Sequence, residues 1–352
     1  MFGSLSQQFG RDIGVDLGTT KILIYAKGKG IVVNEPTVVA INNKTNQILA
    51  IGREAVEMVG KTPPHITAIR PLNNGVISDF EVAEKMLHFF LNKARNKGFL
   101  GDLFDWPRLI LGIPCGGTEV EKRAVEDVAR NAGAREVYLI EGPLAVALGV
   151  HLPIEESKGT LIIDIGGGMS EVAVISLGGV VVFKSLPVAG NKLNDDIIYY
   201  FRDKFKLAIG ERTAEEVKIS IGSAVDIGTN QEMKVRGRDL TKGLPREMKV
   251  KESDVREAIS HSLNKIIDAI KGALEITPPE LAADIINSGI YLSGGTSLLR
   301  GLDKLIKDSV DLPVKIVEDP VTAVIRGIGF VLEDIKSNKN ILTTISREKS
   351  PL

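Results

Sequence analysis

The sequence predicts an α/β protein of two pseudo-equivalent domains, each a mixed sheet flanked by helices and each with a small inserted lobe. Three observations predict it. Short β-branched apolar runs alternate with longer stretches of helical period along the chain. A length of 352 residues exceeds the size at which one core usually stops growing. The third is an internal repeat: Val15-Asp16-Leu17-Gly18-Thr19-Thr20 returns as Ile163-Asp164-Ile165-Gly166-Gly167-Gly168. Ile22 to Tyr25 then matches Val172 to Ile175. After a slip of one residue, Gly30-Ile31-Val32-Val33 matches Gly179-Val180-Val181-Val182.

The first copy reads as a meander of strands, Ile13 to Asp16, Ile22 to Ala26 and Gly30 to Val33, with Gly18 and Gly28 to Gly30 at the turns. Residues 34–71 contain Pro36, Pro63, Pro64 and Pro71, and are expected to leave the main sheet as a small lobe. Helical spacing of Val82, Met86, Phe89, Phe90 and Lys93 predicts a helix over Glu81 to Asn96, and Leu109 to Pro114 is an apolar strand. Thr118 to Ala134 is predicted as a helix opened by the capping box Thr118-x-x-Glu121 and closed by Gly133, with Val120, Ala124, Val125 and Val128 as its apolar face. After the second copy, the less regular and more charged residues 187–250 hold the place that 34–71 hold in the first. A helix from Glu252 to Leu274, a strand from Ile290 to Leu292 and a helix after Gly294-Gly295 complete that half. Asp319 is expected to cap a last helix, Val321 to Leu332, with Pro320 at its first position. The expected division is therefore 1–33, 72–150 and 319–345 for one core with 34–71 as its lobe, and 151–186 and 251–318 for the other with 187–250 as its lobe. The two repeated hairpins are expected to face each other across a cleft.

Composition excludes several functions. With 43% hydrophobic and 25% charged residues the chain is ordinary globular material. Its 44 Lys and Arg nearly cancel its 45 Asp and Glu, so no net field favours nucleic acid, and none is expected as a partner. Any anion must be held by local geometry, which points to cradles of backbone N–H groups. The single cysteine, Cys115, forms no internal disulfide and suggests packing at a strand end in a reducing compartment. The start lacks the features of a signal peptide and no run of 18 or more apolar residues occurs, so a secreted or membrane-spanning protein is not expected. The four histidines, His65, His88, His151 and His261, show no metal-ligand spacing. Neither a P-loop nor a Gly-x-Gly-x-x-Gly dinucleotide turn is present.

The repeated loops carry the chemistry. A tight turn rich in Gly and Thr exposes successive N–H groups, an anion-binding nest that suits phosphate. Gly18, Thr19 and Thr20 in one copy and Gly166, Gly167 and Gly168 in the other supply the donors. Asp16 and Asp164 repel phosphate and are best explained by a hydrated Mg2+, which takes one or two carboxylates besides phosphate oxygens and water, and which they would grip from both sides. Asp-Gly hairpins are also ordinary turn chemistry; the repetition is what favours phosphate. A third glycine element, Ser293-Gly294-Gly295-Thr296-Ser297, follows a strand and opens a helix, where a base or ribose can approach the backbone. It also reads as a plain strand-to-helix turn.

Together the three elements resemble the phosphate 1, phosphate 2 and adenosine motifs of the actin, Hsp70 and sugar-kinase superfamily, which implies an actin-like ATPase fold. Further segments resemble the MreB family of bacterial actin homologues: Gly28-Lys-Gly-Ile-Val-Val-Asn-Glu-Pro36, Ile69-Arg-Pro-Leu72, Glu119-Val-Glu-Lys-Arg-Ala124, Ser176-Leu-Gly-Gly179, Ile209-Gly-Glu-Arg-Thr-Ala-Glu-Glu-Val-Lys218 and Leu298-Leu-Arg-Gly-Leu302. The likeness runs from Arg11 to Glu333. It implies ATP and Mg2+ as ligands, slow hydrolysis coupled to polymerisation into filaments of the chain itself, and organisation of cell-wall synthesis in rod-shaped cells. It also implies a cytoplasmic protein at the inner face of the cytoplasmic membrane, with membrane proteins of the cell-elongation machinery as partners. By the resemblance Glu141 orients the water that attacks the terminal phosphate, Asp164 supports the metal and that water, and Glu215, Glu216, Val217 and Lys218 flank the adenine. Glu141 before Pro143 also reads as an acid serving a helix dipole, and Glu215 with Lys218 as a surface ion pair.

The chain departs from the family in places. Lys21 stands where Asn is usual and either adds a charge near phosphate or points to solvent. Gly142 replaces a second Glu, Met169-Ser170 replaces Thr-Thr, and Ser293 replaces a glycine. These departures bear on turnover and nucleotide preference, and keep open a non-polymerising small-molecule kinase or a weakly hydrolysing scaffold on the same fold. Phe2, Leu5 and Phe9 at helical spacing, and Phe99 and Leu100 in the loop from Gly98 to Trp106, are expected to insert shallowly into the membrane interface. Because that loop is acidic, capping a core is its other reading.

Overall fold

The computed structural model describes residues 12–95 and 107–343. Phe2, Leu5, Phe9, Phe99 and Leu100 lie outside them. The chain divides into two compact units, Met1–Ile154 with Thr322–Leu352, and Glu155–Val321.

The first unit begins with the antiparallel strands β1 (Ile13–Leu17), β2 (Lys21–Ala26) and β3 (Gly30–Pro36). A separate three-stranded sheet comes next, made of β4 (Val39–Asn42), β5 (Gln47–Ile51) and, after the short helix α1 (Arg53–Met58), β6 (Ile66–Ile69). The two-residue strands β7 (Leu72–Asn73) and β8 (Val76–Ile77) lead into α2 (Phe80–Ala94). Then come β9 (Arg108–Ile113), α3 (Glu119–Asn131), β10 (Glu136–Glu141) and α4 (Gly142–Gly149). The main sheet has the order β10-β9-β1-β2-β3, with β9 and β10 parallel to β1. In β1 every side chain but Asp16 is buried, as a strand covered on both faces requires. Met86, Leu87 and Phe90 of α2 join Val15, Ile22, Leu109 and Leu139 in this core.

The second unit repeats the plan. It contains β11 (Thr160–Ile165), β12 (Ser170–Ser176), β13 (Gly179–Leu186), α5 (Gly190–Lys204), β14 (Leu207–Ala208), α6 (Glu211–Ile221), β15 (Glu232–Asp239), β16 (Pro245–Lys251), α7 (Glu252–Glu275), α8 (Pro279–Ser288), β17 (Ile290–Ser293), α9 (Leu302–Val310) and β18 (Val314–Ile316). Its main sheet has the order β13-β12-β11-β17-β18, the first unit's order read from the other end, and β14, β15 and β16 form a separate sheet. The one-residue slip seen in the sequence is the turn between the second and third strands, which has three residues between the paired Ala26 and Gly30 but two between the paired Ser176 and Gly179, and both copies also carry a bulge. The β2–β3 pairing passes over Val32 between Ile24 and Tyr25, and the β12–β13 pairing passes over Val181 between Val174 and Ile175, each a bulge of one extra residue. The chain then returns to the first unit with α10 (Ala323–Glu333).

α10 packs on α4 closely enough that glycine is required: a Cβ on Gly327 would lie 1.7 Å from the Ala145 carbonyl oxygen, and one on Gly149 would lie 2.1 Å from that of Ala323. Two expectations need correction. The helix α3 has the predicted capping box, yet Val120 is 78% exposed and the buried positions are Glu126, Val128 and Ala129. Only the C-terminal turns of α3 are covered, and Glu126 is buried because Arg130 pairs with it at 2.6 Å. The last helix starts at Ala323 after Thr322, not at Val321. Asp319 adopts a positive φ of 42° and Pro320 lies in a turn, where its carbonyl accepts from Gly294 N–H.

Candidate functional site

The two Asp-x-Gly loops have the same internal construction. Gly18 N–H donates to Lys21 O at 3.0 Å and Gly166 N–H to Met169 O at 2.9 Å, so this glycine closes the turn in both copies. The carbonyl of each is then held by a threonine: Thr37 Oγ1 donates to Gly18 O at 2.8 Å, and Thr296 Oγ1 to Gly166 O at 2.7 Å. In the second unit Gly190 N–H also donates to Gly166 O, and Asn191 N–H to Gly167 O at 2.7 Å. Because C=O and N–H point opposite ways across a trans peptide, fixing these carbonyls turns the N–H groups of Thr19, Gly167 and Gly168 outward. Those three point away from the groups that pin the carbonyls, while the N–H groups of Gly18 and Gly166 are taken by their turns. Thr19 is buried, and its Oγ1 accepts from Gly75 N–H at 2.8 Å, which leaves its own proton for donation. Thr20 lies at the turn's end, and Lys21 opens β2 with its side chain exposed.

Asp16 and Asp164 occupy matching places near the ends of β1 and β11, opposite Leu23 and Glu171 respectively. Asp164 Oδ1 is buried without a hydrogen-bond partner. Burial pushes its carboxyl up to about 6, and the hydrogen bond with Ser293 offsets only part of that. A buried carboxylate oxygen without a donor is a place for a cation. Among the described residues no three or more His, Cys, Asp or Glu are grouped so as to hold a metal ion. A set of fewer than three such ligands fits an ion that keeps most of its water, as Mg2+ does, and does not fit zinc.

The glycine element at the end of β17 sits against the second loop. Gly294 has φ 85°, and a Cβ there would lie 2.3 Å from Ile165 O, so backbone packs directly on backbone. The helix expected after Gly294-Gly295 is a short 3-10 helix, Gly295–Leu298, and α9 follows from Leu302. Nothing lies within 4 Å of a Cβ built on Gly295, so the approach to it is open. Thr296 is fastened to Gly166 O, and Ser297 Oγ donates to Gly294 O at 2.6 Å.

The two polar residues of α6 meet as their i, i+3 spacing predicts. Lys218 Nζ donates to Glu215 Oε2 at 2.8 Å and to Gly190 O at 2.9 Å. This joins α6 to the start of α5, and through Gly190 to the Asp164 loop. Within the second unit the structure therefore brings together Asp164, Gly166, Gly167, Gly168, Gly294, Gly295, Thr296, Ser297, Glu215 and Lys218. It places Glu216 elsewhere, in an exposed pair with Arg212, and Val217 in the hydrophobic core.

In the first unit Glu141 ends β10 and precedes α4, with Pro in that helix's first turn, and its side chain makes no capping hydrogen bond. Its carboxylate is left for other work. Burial raises its affinity for a proton, while the nearby charge of Lys122 on α3 opposes the shift.

Sequence reasoning missed Thr37, Gly75, Gly190 and Asn194. Thr37 comes directly after Pro36, one residue beyond a segment already singled out. Asn194 interrupts the otherwise apolar stripe of Leu193, Ile197 and Phe201 on α5, a signal open to reading.

Two units of one plan, each with an Asp-x-Gly hairpin whose glycine carbonyl is locked by a threonine, define an actin-like protein. The solved MamK double helical filament has the same fold, with a TM-score of 0.77 at 23% identity, over 92% of this chain and 98% of that one. The family described as MreB/Mbl protein matches residues 10–340, and the chain belongs to it. The chain is 45% identical over 327 residues to the cell shape-determining protein Mbl of Bacillus subtilis (strain 168), covering 93% of this chain and 97% of Mbl. It is 46% identical over 331 residues to the cell shape-determining protein MreB of Escherichia coli (strain K12), covering 93% and 94%. A crystal structure of MreB 5 of Spiroplasma citri bound to AMPPNP matches with a TM-score of 0.88 and 42% identity, over 93% of this chain and 97% of that one.

Proposed function

We propose that this chain is an actin-like cytoskeletal ATPase that binds ATP with Mg2+, assembles into filaments of itself, and organises cell-wall synthesis to maintain rod shape. The observation that carries the reading is the duplicated Asp-x-Gly loop with its glycine carbonyls pinned, in a chain whose relatives are named cell shape-determining proteins and include one solved with AMPPNP. Thr19, Thr20, Gly167 and Gly168 serve the phosphates through N–H and hydroxyl donors, with Gly18 and Gly166 shaping the turns and Lys21 at the rim. Asp16 and Asp164 hold the Mg2+, which when bound supplies charge neutralisation at the phosphates.

Gly294, Gly295, Thr296 and Ser297 let the nucleoside approach the backbone, and Glu215 and Lys218 flank it, with Glu216 and Val217 keeping α6 in place. Glu141 accepts a hydrogen bond from the attacking water, aided by Asp164, and positioning of this kind suffices for phosphoryl transfer to water. Residues 34–71 and 187–250 are the inserted lobes of the two domains.

Among the described residues no helix is long and apolar enough to cross a membrane. We place the filament in the cytoplasm at the inner face of the membrane, held by Phe2, Leu5, Phe9, Phe99 and Leu100 and by membrane proteins of the elongation machinery. Electron microscopy on anionic lipid monolayers, with and without ATP, tests nucleotide, polymer and membrane together. Lipid-bound filaments with ATP support the reading. Filaments equally abundant after Phe2, Leu5, Phe99 and Leu100 are replaced by Ser reject the membrane anchors. A single-chain species at every concentration of ATP favours instead a non-polymerising kinase or scaffold.

A further inference from the structure

Asn194 lies on α5 and is only 2% exposed. Its Nδ2 donates to Glu215 Oε2 at 2.6 Å, while its Oδ1 is buried with no partner. The orientation is fixed by chemistry: with the amide reversed, its oxygen would face the Glu215 carboxylate. A buried acceptor without a donor weakens a fold, and an apolar residue of the same size avoids the defect. The hydrogen bond to Glu215 is the one compensating contact.

That bond completes a definite arrangement. Two donors from two helices, Asn194 Nδ2 on α5 and Lys218 Nζ on α6, converge on the same oxygen, Oε2. The carboxylate is thereby clamped at one oxygen, while its side chain is still 45% exposed. Oε1 is then held in a fixed direction as an acceptor. Lys218 also ties Gly190, whose N–H donates to the Asp164 loop, so the clamped acceptor is registered to the phosphate loop by two hydrogen bonds.

We propose that Asn194 is a positioning residue that aims Glu215 at a neutral hydrogen-bond donor of the nucleoside, and so sets the preference for ATP over nucleotides lacking that donor. This rests on the reading of the second unit as a nucleotide site. An anionic acceptor does not serve the triphosphate. What a nucleoside offers it is a sugar hydroxyl or the 6-amino group of adenine, and both are the same chemistry, an O–H or N–H aimed at a carboxylate oxygen.

The test measures equilibrium binding of Mg2+ complexes of ATP, 2′,3′-dideoxy-ATP and inosine triphosphate to the full chain, to Asn194→Leu and to Glu215→Ala. Leucine fills the space and removes the orphaned acceptor, so its thermal midpoint is expected to hold or rise. Should Asn194→Leu lack the circular dichroism of the folded chain, Asn194→Ala replaces it. The expected result is roughly tenfold weaker ATP binding by both variants, as loss of a charged hydrogen bond gives, with one analogue bound as tightly by the variants as by the parent. An unaffected dideoxy analogue identifies the sugar hydroxyls, and an unaffected inosine nucleotide identifies the amine. Equal weakening of all three nucleotides, or no change in any, overturns the positioning role. Binding of none by the parent chain overturns the nucleotide-site reading itself, and this proposal with it.

Discussion

Replacing Asp164 by Asn is predicted to stabilise the nucleotide-free protein while abolishing its response to Mg2+ and ATP. The folded carboxyl holds its proton up to about pH 6, whereas its ordinary value is 3.8. This residue therefore favours folding fully below pH 3.8, and that contribution is lost as pH rises through about 6. At pH 8 the ionised, partnerless Oδ1 costs up to about 3 kcal/mol, the free-energy equivalent of that shift. Asparagine keeps the shape and the acceptor for Ser293 without the charge. In urea denaturation with chelator, the variant is expected to exceed the parent by up to about 3 kcal/mol at pH 8, about half of that at pH 5, and nothing below pH about 4. In a thermal scan at pH 8 the gain corresponds to about 4 °C for a chain of this size. Saturating Mg2+ and ATP are expected to reverse the order, because only the parent gains by ligand linkage. A variant less stable than the parent at pH 8, or a difference that does not change with pH, refutes the reasoning.

Three further outcomes are expected. Glu141→Ala should lower ATP hydrolysis roughly 100-fold with ATP binding unchanged, as single-turnover assays will show. Because burial raises the affinity of Glu141 for a proton and Lys122 opposes this, activity should fall on acidification above the ordinary carboxylate range. Lys122→Ala should move that fall to still higher pH. Gly327→Ala brings a methyl group into the Ala145 carbonyl, and neither backbone can yield without parting α4 from α10. A loss of about 3 kcal/mol or more by denaturation is expected, with the second unit's proteolytic fragments unaffected in pattern.

Much of the fold was legible because the chain states its plan twice. The strands after Asp16 and Asp164 fell where the apolar runs fell, and even the slip of one residue was visible, its cause being a hairpin turn one residue longer in the first copy than in the second. Periodicity alone does not say which end of an amphipathic helix is covered: Val120 keeps the apolar spacing, yet only the later turns of α3 reach the core. At the last helix, Pro320 looked like an N1 residue until the positive φ of Asp319 placed it in a turn. The loop glycines were legible as residue types, but which N–H groups they free was not. That depends on Thr37 and Thr296, which reach Gly18 and Gly166 from other elements of the fold. Asn194 was readable in principle as an amide on an apolar stripe, yet its meaning needs Glu215, which only the packing of α5 on α6 supplies.

The central claim is that both loops serve the phosphates of one ligand type, Mg2+ with ATP. Isothermal titration of ATP and of adenosine into the parent chain, Asp16→Ala and Asp164→Ala, with and without Mg2+, tests it directly. Each substitution is predicted to remove most of the Mg2+-dependent affinity for ATP while leaving the weak binding of adenosine unchanged. If either variant binds ATP with the parent's affinity and Mg2+ dependence, that loop is an ordinary hairpin turn and the account is contradicted.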